Sequence, residues 1–376
     1  MDGVTDEIGW ERDGAAVRAS YASARGGPPP RRAVAADDRL TADAAFRLVS
    51  QGIAIVWGGD YHNCRQLLQA LGRRIDKRAP AIDPGDPAAA FHAYRRQQAQ
   101  RANMLGLLLV PVAEQRVTLG RAPEVSVAIS EAIGDTLGNL VMPLRDLLGF
   151  ISAHEWRKNG VPIRALGGEK IHPHYGVFPP TRQDYVDLVA LAPFPEGDLA
   201  FDLGAGSGVL TAVLLSRGMR RVVATDNAPR AIACAADNFA RLGLAERVEL
   251  VEGELFPEGK ASLVVCNPPW LPAKAGSPLE SAVYDTDGAM LGAFLSGLAS
   301  HLLPSGEGWL ILSDLAEHLG LRSREEFLAK IAASGLRVAG RLDAPPSPSG
   351  ARDAGDPLYF ARSREVVSLW RLAPSA

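Results

Sequence analysis

Cysteine is scarce in this chain of 376 residues: there are three, Cys64, Cys234 and Cys266, far apart and with no CxxC pair. That spacing excludes a disulfide framework and a zinc knuckle, and a reducing cytoplasm is the expected location. Long apolar runs are missing as well. The most apolar stretch, Met104 to Val112, is too short to span a bilayer and contains Pro111. The acidic start Met1-Asp2-Gly3 lacks the basic region of an export signal, so an unexported protein with no membrane partner is expected. Neither sign of charge is in large excess: 40 Lys and Arg face 43 Asp and Glu, a formal net charge of −3 that exerts no global pull on nucleic acid. What is present is ordinary for folded protein, with 47% hydrophobic and 22% charged residues. Sizeable cores and about two or three domains are affordable at this length.

The chain changes character along its length. Residues 1–36 mix small residues, Gly26-Gly27-Pro28-Pro29-Pro30 and scattered arginines without an apolar period, which predicts a flexible N-terminal tail. From 37 to 160 the apolar residues recur three or four apart, at Ala44-Phe46-Leu48-Val49, Cys64 to Ile75, Phe91 to Leu109 and Val125 to Phe150. A mainly helical accessory domain is expected there, with a short strand at Gly52 to Trp57. From 161 to 376 strands and helices alternate. Thr181 is placed to cap a helix through Leu191, and Leu199 to Leu203 reads as a buried strand ending at glycines. Further strands are read at Val222–Thr225, Val248–Val251, Ser262–Cys266 and Trp309–Leu312, with helices between them and a closing hairpin of Leu336–Arg341 and Val366–Leu372. Such alternation predicts an α/β domain on a largely parallel sheet. The stretch Asp343 to Gly350, rich in proline, reads as a surface loop.

The chemistry sits where strands end. In an open parallel sheet, ligands bind outside the carboxyl ends of the strands. Four successive strand ends here carry Asp202-Leu203-Gly204-Ala205-Gly206-Ser207-Gly208, then Asp226-Asn227, then Gly253-Glu254-Leu255, then Asn267-Pro268-Pro269-Trp270. The glycines permit a tight turn and close backbone approach to a ligand. Their spacing is GxGxG, not the GxGxxG of a pyrophosphate turn, and no Walker lysine follows, so a cofactor with an amino-acid tail fits better than a dinucleotide. Asp226 suits both hydroxyls of a ribose. Asn267 and the Pro268 carbonyl offer two fixed acceptors for a planar N–H donor, beside the indole face of Trp270.

On these residues, with Ala231 to Asn238 and the lead-in Tyr175 to Thr181, residues 171–372 resemble the class I S-adenosylmethionine-dependent methyltransferases. Within them the likeness is to the release-factor glutamine methyltransferases and related small-domain methylases. The resemblance implies a Rossmann-like seven-stranded sheet over 161–376, binding S-adenosylmethionine and releasing S-adenosylhomocysteine. It implies cofactor contacts from Phe178, Asp202, Gly204, Ala205, Gly206, Gly208, Asp226, Asn227, Glu254, Leu255 and Asn267. Asn267, Pro268, Pro269 and Trp270 would form the catalytic loop. The implied acceptor is a protein glutamine, such as one on a translation factor, chosen by the accessory domain. Methylation of an exocyclic amino group on RNA, or of a small natural product, shares the need for a flat N–H donor. A cofactor-binding regulator is the non-enzyme alternative, and an intact Asn267 argues against it.

Other candidates receive plainer readings. His172 and His174 lack a third ligand at metal spacing, so they are read as loop histidines and no metal is expected. Asp285 and Asp287 flank a helix start and read as caps, and Cys266 as a packed thiol. Arg65, Arg73, Arg74, Lys77, Arg78, Arg95, Arg96 and Arg101 outnumber Asp76, Asp83 and Asp86, which reads as a solvated helix face rather than a docking surface.

Overall fold

The computed structural model describes residues 6–135, 138–275, 280–344 and 353–375. The chain divides into two compact units, one of Met1–Ile82 with His92–Glu155 and one of Asp83–Phe91 with Trp156–Ala376. No helix among the described residues is long and apolar enough to cross a membrane.

The first unit is built on a mixed sheet. Its elements, in chain order, are β1 (Asp6–Arg12), β2 (Ala15–Tyr21), β3 (Ala33–Ala36), α1 (Ala42–Ser50), β4 (Ala54–Trp57), α2 (Tyr61–Arg78), α3 (Pro87–Leu105), β5 (Leu108–Ala113), β6 (Arg116–Val117), α4 (Ser126–Ile133), β7 (Asn139–Pro143) and α5 (Leu144–Asn159). The strands run in the order β1-β2-β7-β5-β4-β3, with β6 paired to β5.

Two expectations are corrected here. The stretch expected as a flexible tail forms three strands: β1 and β2 close through Asp13 (φ 53°) and Gly14 (φ 77°), with Arg12 opposite Ala15. Positive φ at both central residues is the geometry of a two-residue hairpin turn, which Asp-Gly favours. In the accessory region the strands β5 and β7 interrupt the helices read there. Both strands are almost wholly buried, and a strand covered on both faces shows a continuous apolar run that a helical period cannot distinguish. Ile8, Ala54, Val56, Leu109 and Val141 form one core of this sheet. Several of the basic residues are already engaged, Arg74 with Asp43, Arg101 with Asp76, and Arg78 over the Phe46 ring.

The second unit continues with β8 (Val161–Pro162), β9 (Lys170–Ile171), α6 (Asp184–Leu191), β10 (Leu199–Leu203), α7 (Val209–Ser216), β11 (Arg221–Asp226), α8 (Pro229–Arg241), β12 (Val248–Glu252), β13 (Ala261–Cys266), α9 (Ala289–Leu298), β14 (Leu302–Ser313), α10 (Leu315–His318), α11 (Arg324–Ala333), β15 (Leu336–Ala344), α12 (Tyr359–Arg362) and β16 (Val367–Pro374). Seven strands form one sheet in the order β12-β11-β10-β13-β14-β16-β15. All neighbours are parallel except those of β16, which runs antiparallel to both β14 and β15. This is the expected sheet.

Covering both faces of the sheet requires helices that present apolar surface. On α8, Ala231, Cys234, Ala235, Asn238 and Phe239 are buried at three- and four-residue spacings, whereas α7 is buried from Val209 through Leu215. Helix α11 starts with a capping box between Ser323 and Glu326. The cap expected at Thr181 is not used. Helix α6 begins at Asp184 without a side-chain cap, and the Asp184 carboxylate accepts instead from Arg182 Nε at 2.6 Å. Residues 345–350 of the expected surface loop lie outside the described residues.

The turn from β10 into α7 tolerates little. Gly208 has φ 79°, and a Cβ there would stand 2.6 Å from Phe239 Cζ. Gly208→Ala is therefore expected to lower stability by about 2–4 kcal/mol, combining backbone strain with overpacking, and urea unfolding of the full chain measures it. An unchanged midpoint would show that the turn relaxes freely.

Candidate active site

Strand register brings the motif residues to one edge. Leu203, the last residue of β10, pairs with Thr225 on β11 and with Cys266 on β13. The next residue on each strand is therefore level: Gly204, Asp226 and Asn267. Glu252 of β12 pairs with Asp226, which leads Gly253, Glu254 and Leu255 off the same edge. Because β10 has a neighbour on each side whose connection leaves in the opposite sense, a crevice opens at this switch point.

The glycine turn is held by backbone and carboxylate together. Gly204, Gly206 and Gly208 have φ of 73°, 54° and 79°. The Gly204 and Ala205 N–H groups both donate to the Thr225 carbonyl at 2.9 Å, so the turn folds back over β11. Asp226 completes it, accepting from Gly206 N at Oδ2 and from Ala228 N at Oδ1, both at 2.9 Å. The carboxylate expected to meet a ribose thus also ties the turn to the start of α8. A carboxylate oxygen has lone pairs left after one such bond.

Behind the turn, Asp202 is 1% exposed, and its Oδ2 accepts from the Thr211 N–H at 3.0 Å and the Thr211 hydroxyl at 2.6 Å. Burial pushes its pKa up to about 6; the Thr211 hydrogen bonds pull it back, and the nearby Asp226 adds to the rise. Two carboxyl groups behind one turn repel a phosphate and suit ammonium and hydroxyl donors. That donor set fits a nucleoside with an amino-acid tail.

On the acceptor side, Asn267 follows β13 directly, and Pro268 is buried while Asn267, Pro269 and Trp270 are half-buried. The Trp270 indole N–H donates to Asn267 Oδ1 at 2.9 Å. Trp270 packs against the apolar cores on both sides of the sheet, and the Arg182 guanidinium carbon stands over its ring, 5.1 Å from the centroid. The indole expected as a stacking surface is thus also a hydrogen-bond donor to the motif's own asparagine. Beyond it, the chain folds back: the Leu271 N–H donates to the Val283 carbonyl, the Asp285 N–H donates to the Leu271 carbonyl, and the Asp285 carboxylate accepts from Met290 N and Leu291 N at the start of α9, each at 3.0 Å. Cys266 lies buried, with its thiol pKa raised by desolvation first and by Asp202 and Asp285 second.

The remaining candidates spread more widely. Phe178 is 42% exposed, Glu254 and Asn227 are exposed, and Leu255 takes φ 51° while its carbonyl accepts from Thr225 Oγ1 at 2.6 Å. His172 and His174 are bonded into the fold: Nδ1 of His172 meets the Arg157 carbonyl and Nε2 of His174 meets Asp237. Asn238, fully buried, accepts from His172 N and donates to the His172 and Ser207 carbonyls, pinning the lead-in to the glycine turn. Sequence reasoning missed Thr211, Arg182 and Glu365. Thr211 stands in the first turn of α7, a findable position; Arg182 and Glu365 are 183 residues apart and share no motif.

The glycine turn backed by Asp202, Asp226 one strand over and Asn267 at the end of β13 all lie within a segment whose sequence matches a methyltransferase family. Residues 168–320 match the family model described as methyltransferase small domain, and that segment belongs to this family. The ribosomal protein L11 methyltransferase of Pelotomaculum thermopropionicum is 45% identical over 73 residues, 19% of this chain and 24% of that one. The release factor glutamine methyltransferase of Cereibacter sphaeroides is 36% identical over 98 residues, 25% of this chain and 34% of that one. The chain thus spans about a quarter to a third of the length of these curated relatives. Among solved structures, the ribosomal protein L11 methylase of Lactobacillus delbrueckii subsp. bulgaricus aligns with 56% of this chain and 87% of its own, at 18% identity and a TM-score of 0.38. A likeness of that order adds nothing to the sequence match.

The raised Asp202 pKa has a measurable sign. Between about pH 4 and 6 the folded chain holds more proton at Asp202 than the unfolded chain does, so this contribution to stability falls as pH rises and is lost above about pH 6. The full shift corresponds to about 3 kcal/mol. Urea midpoints at pH 4, 5, 6 and 7 should show this slope as the difference between the wild type and Asp202→Asn. Parallel profiles would remove the assignment.

Proposed function

We propose that this protein transfers a methyl group from S-adenosylmethionine to a planar amide nitrogen, the side chain of a protein glutamine, in the cytoplasm. The observation that supports this most is the placement of Asn267 and the Pro268 carbonyl at the end of β13, level with Gly204 and Asp226. The names of the matched relatives, a ribosomal protein methyltransferase and a release factor glutamine methyltransferase, favour a protein of the translation apparatus as acceptor. We assign acceptor choice to the first unit, which lies outside the matched segment.

The bound cofactor supplies an electrophilic methyl on a sulfonium. The chain's residues do the rest. Asp202 and the glycine turn receive the amino-acid tail, Asp226 the ribose, and Glu254 with Leu255 the adenine edge, while Phe178 and Asn227 border the crevice. An amide nitrogen is a poor nucleophile because its lone pair is delocalised. Asn267 Oδ1 and the Pro268 carbonyl accept its two N–H bonds, which raises electron density on nitrogen and aims it along the line of attack. Positive charge developing there meets fixed carbonyl dipoles in a half-buried site, a stabilisation commonly worth about 3 kcal/mol per group. As the C–N bond forms the C–S bond breaks and S-adenosylhomocysteine leaves; no strong base is needed before attack, and the proton on the methylated nitrogen passes to water afterwards.

Asn267→Ala is expected to keep cofactor affinity within about twofold, by calorimetry, while methyl transfer from labelled cofactor to cell-extract protein falls about 10²-fold. Asp226→Ala should instead weaken cofactor binding about tenfold or more. Equal loss of binding and turnover in Asn267→Ala would remove its assigned role. Label confined to RNA or to small molecules would replace the protein acceptor with that class.

A further inference from the structure

An asparagine amide has an acceptor end and a donor end, and half a turn about its last torsion exchanges them at little cost. A site that must accept an N–H bond at Asn267 therefore needs something to settle which end faces the substrate. Trp270 does so by chemistry: an indole N–H only donates, so Oδ1 is the end that faces it, at 2.9 Å, and the second lone pair of that oxygen is the one left for the acceptor N–H. A tyrosine hydroxyl donates and accepts, and would impose no such choice. The indole must itself be held. Its ring lies under the Arg182 guanidinium, 5.1 Å from carbon to centroid.

Arg182 in turn is fixed from two sides. Its Nε donates to Asp184 Oδ2 at 2.6 Å, and its Nη1 donates to Glu365 Oε1 and Oε2 at 3.0 and 3.1 Å. Glu365 is 8% exposed and also accepts from the Ser313 hydroxyl at 2.6 Å, at the carboxyl end of β14, the strand beside β13. Burial alone would lower the pKa of Arg182, but Glu365 and Asp184 outweigh it and the guanidinium stays charged. Three separate stretches of chain are therefore linked through Arg182: the lead-in to α6, the segment before β16, and the loop after β13.

We propose that Arg182 is a positioning residue for methyl transfer, acting through Trp270: held by Asp184 and Glu365, it fixes the indole whose N–H presents Asn267 in a single amide orientation. This rests on the reading that Asn267 Oδ1 receives the acceptor N–H, and the experiment has two arms so that the two can fail separately.

The first arm needs no acceptor. Tryptophan emission of the full chain is recorded for wild type, Arg182→Gln, Arg182→Lys and Glu365→Gln, each with and without Trp270→Phe. Arg182→Gln should shift the emission only where Trp270 is present, with Arg182→Lys closer to wild type. Glu365→Gln, which keeps the shape of the pair, gives the same test if Arg182→Gln does not fold.

The second arm measures methyl transfer to a glutamine-containing peptide together with cofactor affinity by calorimetry. Arg182→Gln is expected to lower kcat about tenfold or more with cofactor Kd within about twofold. In the Trp270→Phe background the same substitution should add less than a twofold loss.

No change in Trp270 emission, or a full further loss of kcat in the Trp270→Phe background, would overturn the proposal. So would a fall in cofactor affinity matching the fall in kcat. If the wild type leaves the peptide unmethylated, the glutamine reading fails, and the emission arm still decides whether Arg182 holds Trp270.

Discussion

Parallel pairing of β10 with a neighbour on each side is the constraint on which the second unit depends. Because Leu203 is in register with both Thr225 and Cys266, the residues that follow on three strands emerge at one height. A slip of one residue would turn every side chain on a strand to the other face and scatter the site. The register is secured by burial: β13 is buried along its whole length, and β10 from Ala200 onward. Stability of the sheet and geometry of the site are thus the same property of the same contacts.

The electrostatics follow from that placement. Asp202 is sealed behind the glycine turn with Thr211 as its partner, and Asp226 closes the turn from the next strand. Two carboxyl groups near each other in a poorly hydrated place are costly, and the raised pKa of Asp202 expresses that cost. Bringing an ammonium group and paired hydroxyls to these groups relieves it, whereas a phosphate would make it worse. On the reading proposed above, this charge arrangement favours a sulfonium nucleoside over a nucleotide. On that side the design is different. There the motif's groups are the neutral carbonyls of Asn267 and Pro268, and charge stands one step away, at Arg182 and its two carboxylates.

The first unit shows how a sequence misleads by period. Leu108 to Val112 and Asn139 to Pro143 lie in regions where apolar residues also fit a helical repeat, yet β5 and β7 run through them as interior strands. Burial on both faces removes the alternation that marks a strand. The opening hairpin was legible in principle, since Asp13-Gly14 is a strong two-residue turn signal, but small and charged residues around it dilute the pattern. In the second unit the same rules succeed, because glycines, Asp226 and the paired prolines punctuate each strand end.

The amino-acid sequence by itself determined the order of the seven strands and the longer helices from Leu199 onward, though not the short α10 and α12, and the four motifs at successive strand ends, because local turn chemistry and apolar periods are written in neighbouring residues. Glycine spacing, a local feature, also favoured a cofactor with an amino-acid tail over a dinucleotide, and the family resemblance of the motifs named it. Only the tertiary structure decided which side chains stand behind those motifs. Thr211 under Asp202, Asn238 beneath the lead-in, and Glu365 and Arg182 around Trp270 meet across 9 to 183 residues of chain. Such meetings depend on how helices pack over the sheet, and packing of distant segments leaves no spacing in the sequence to read.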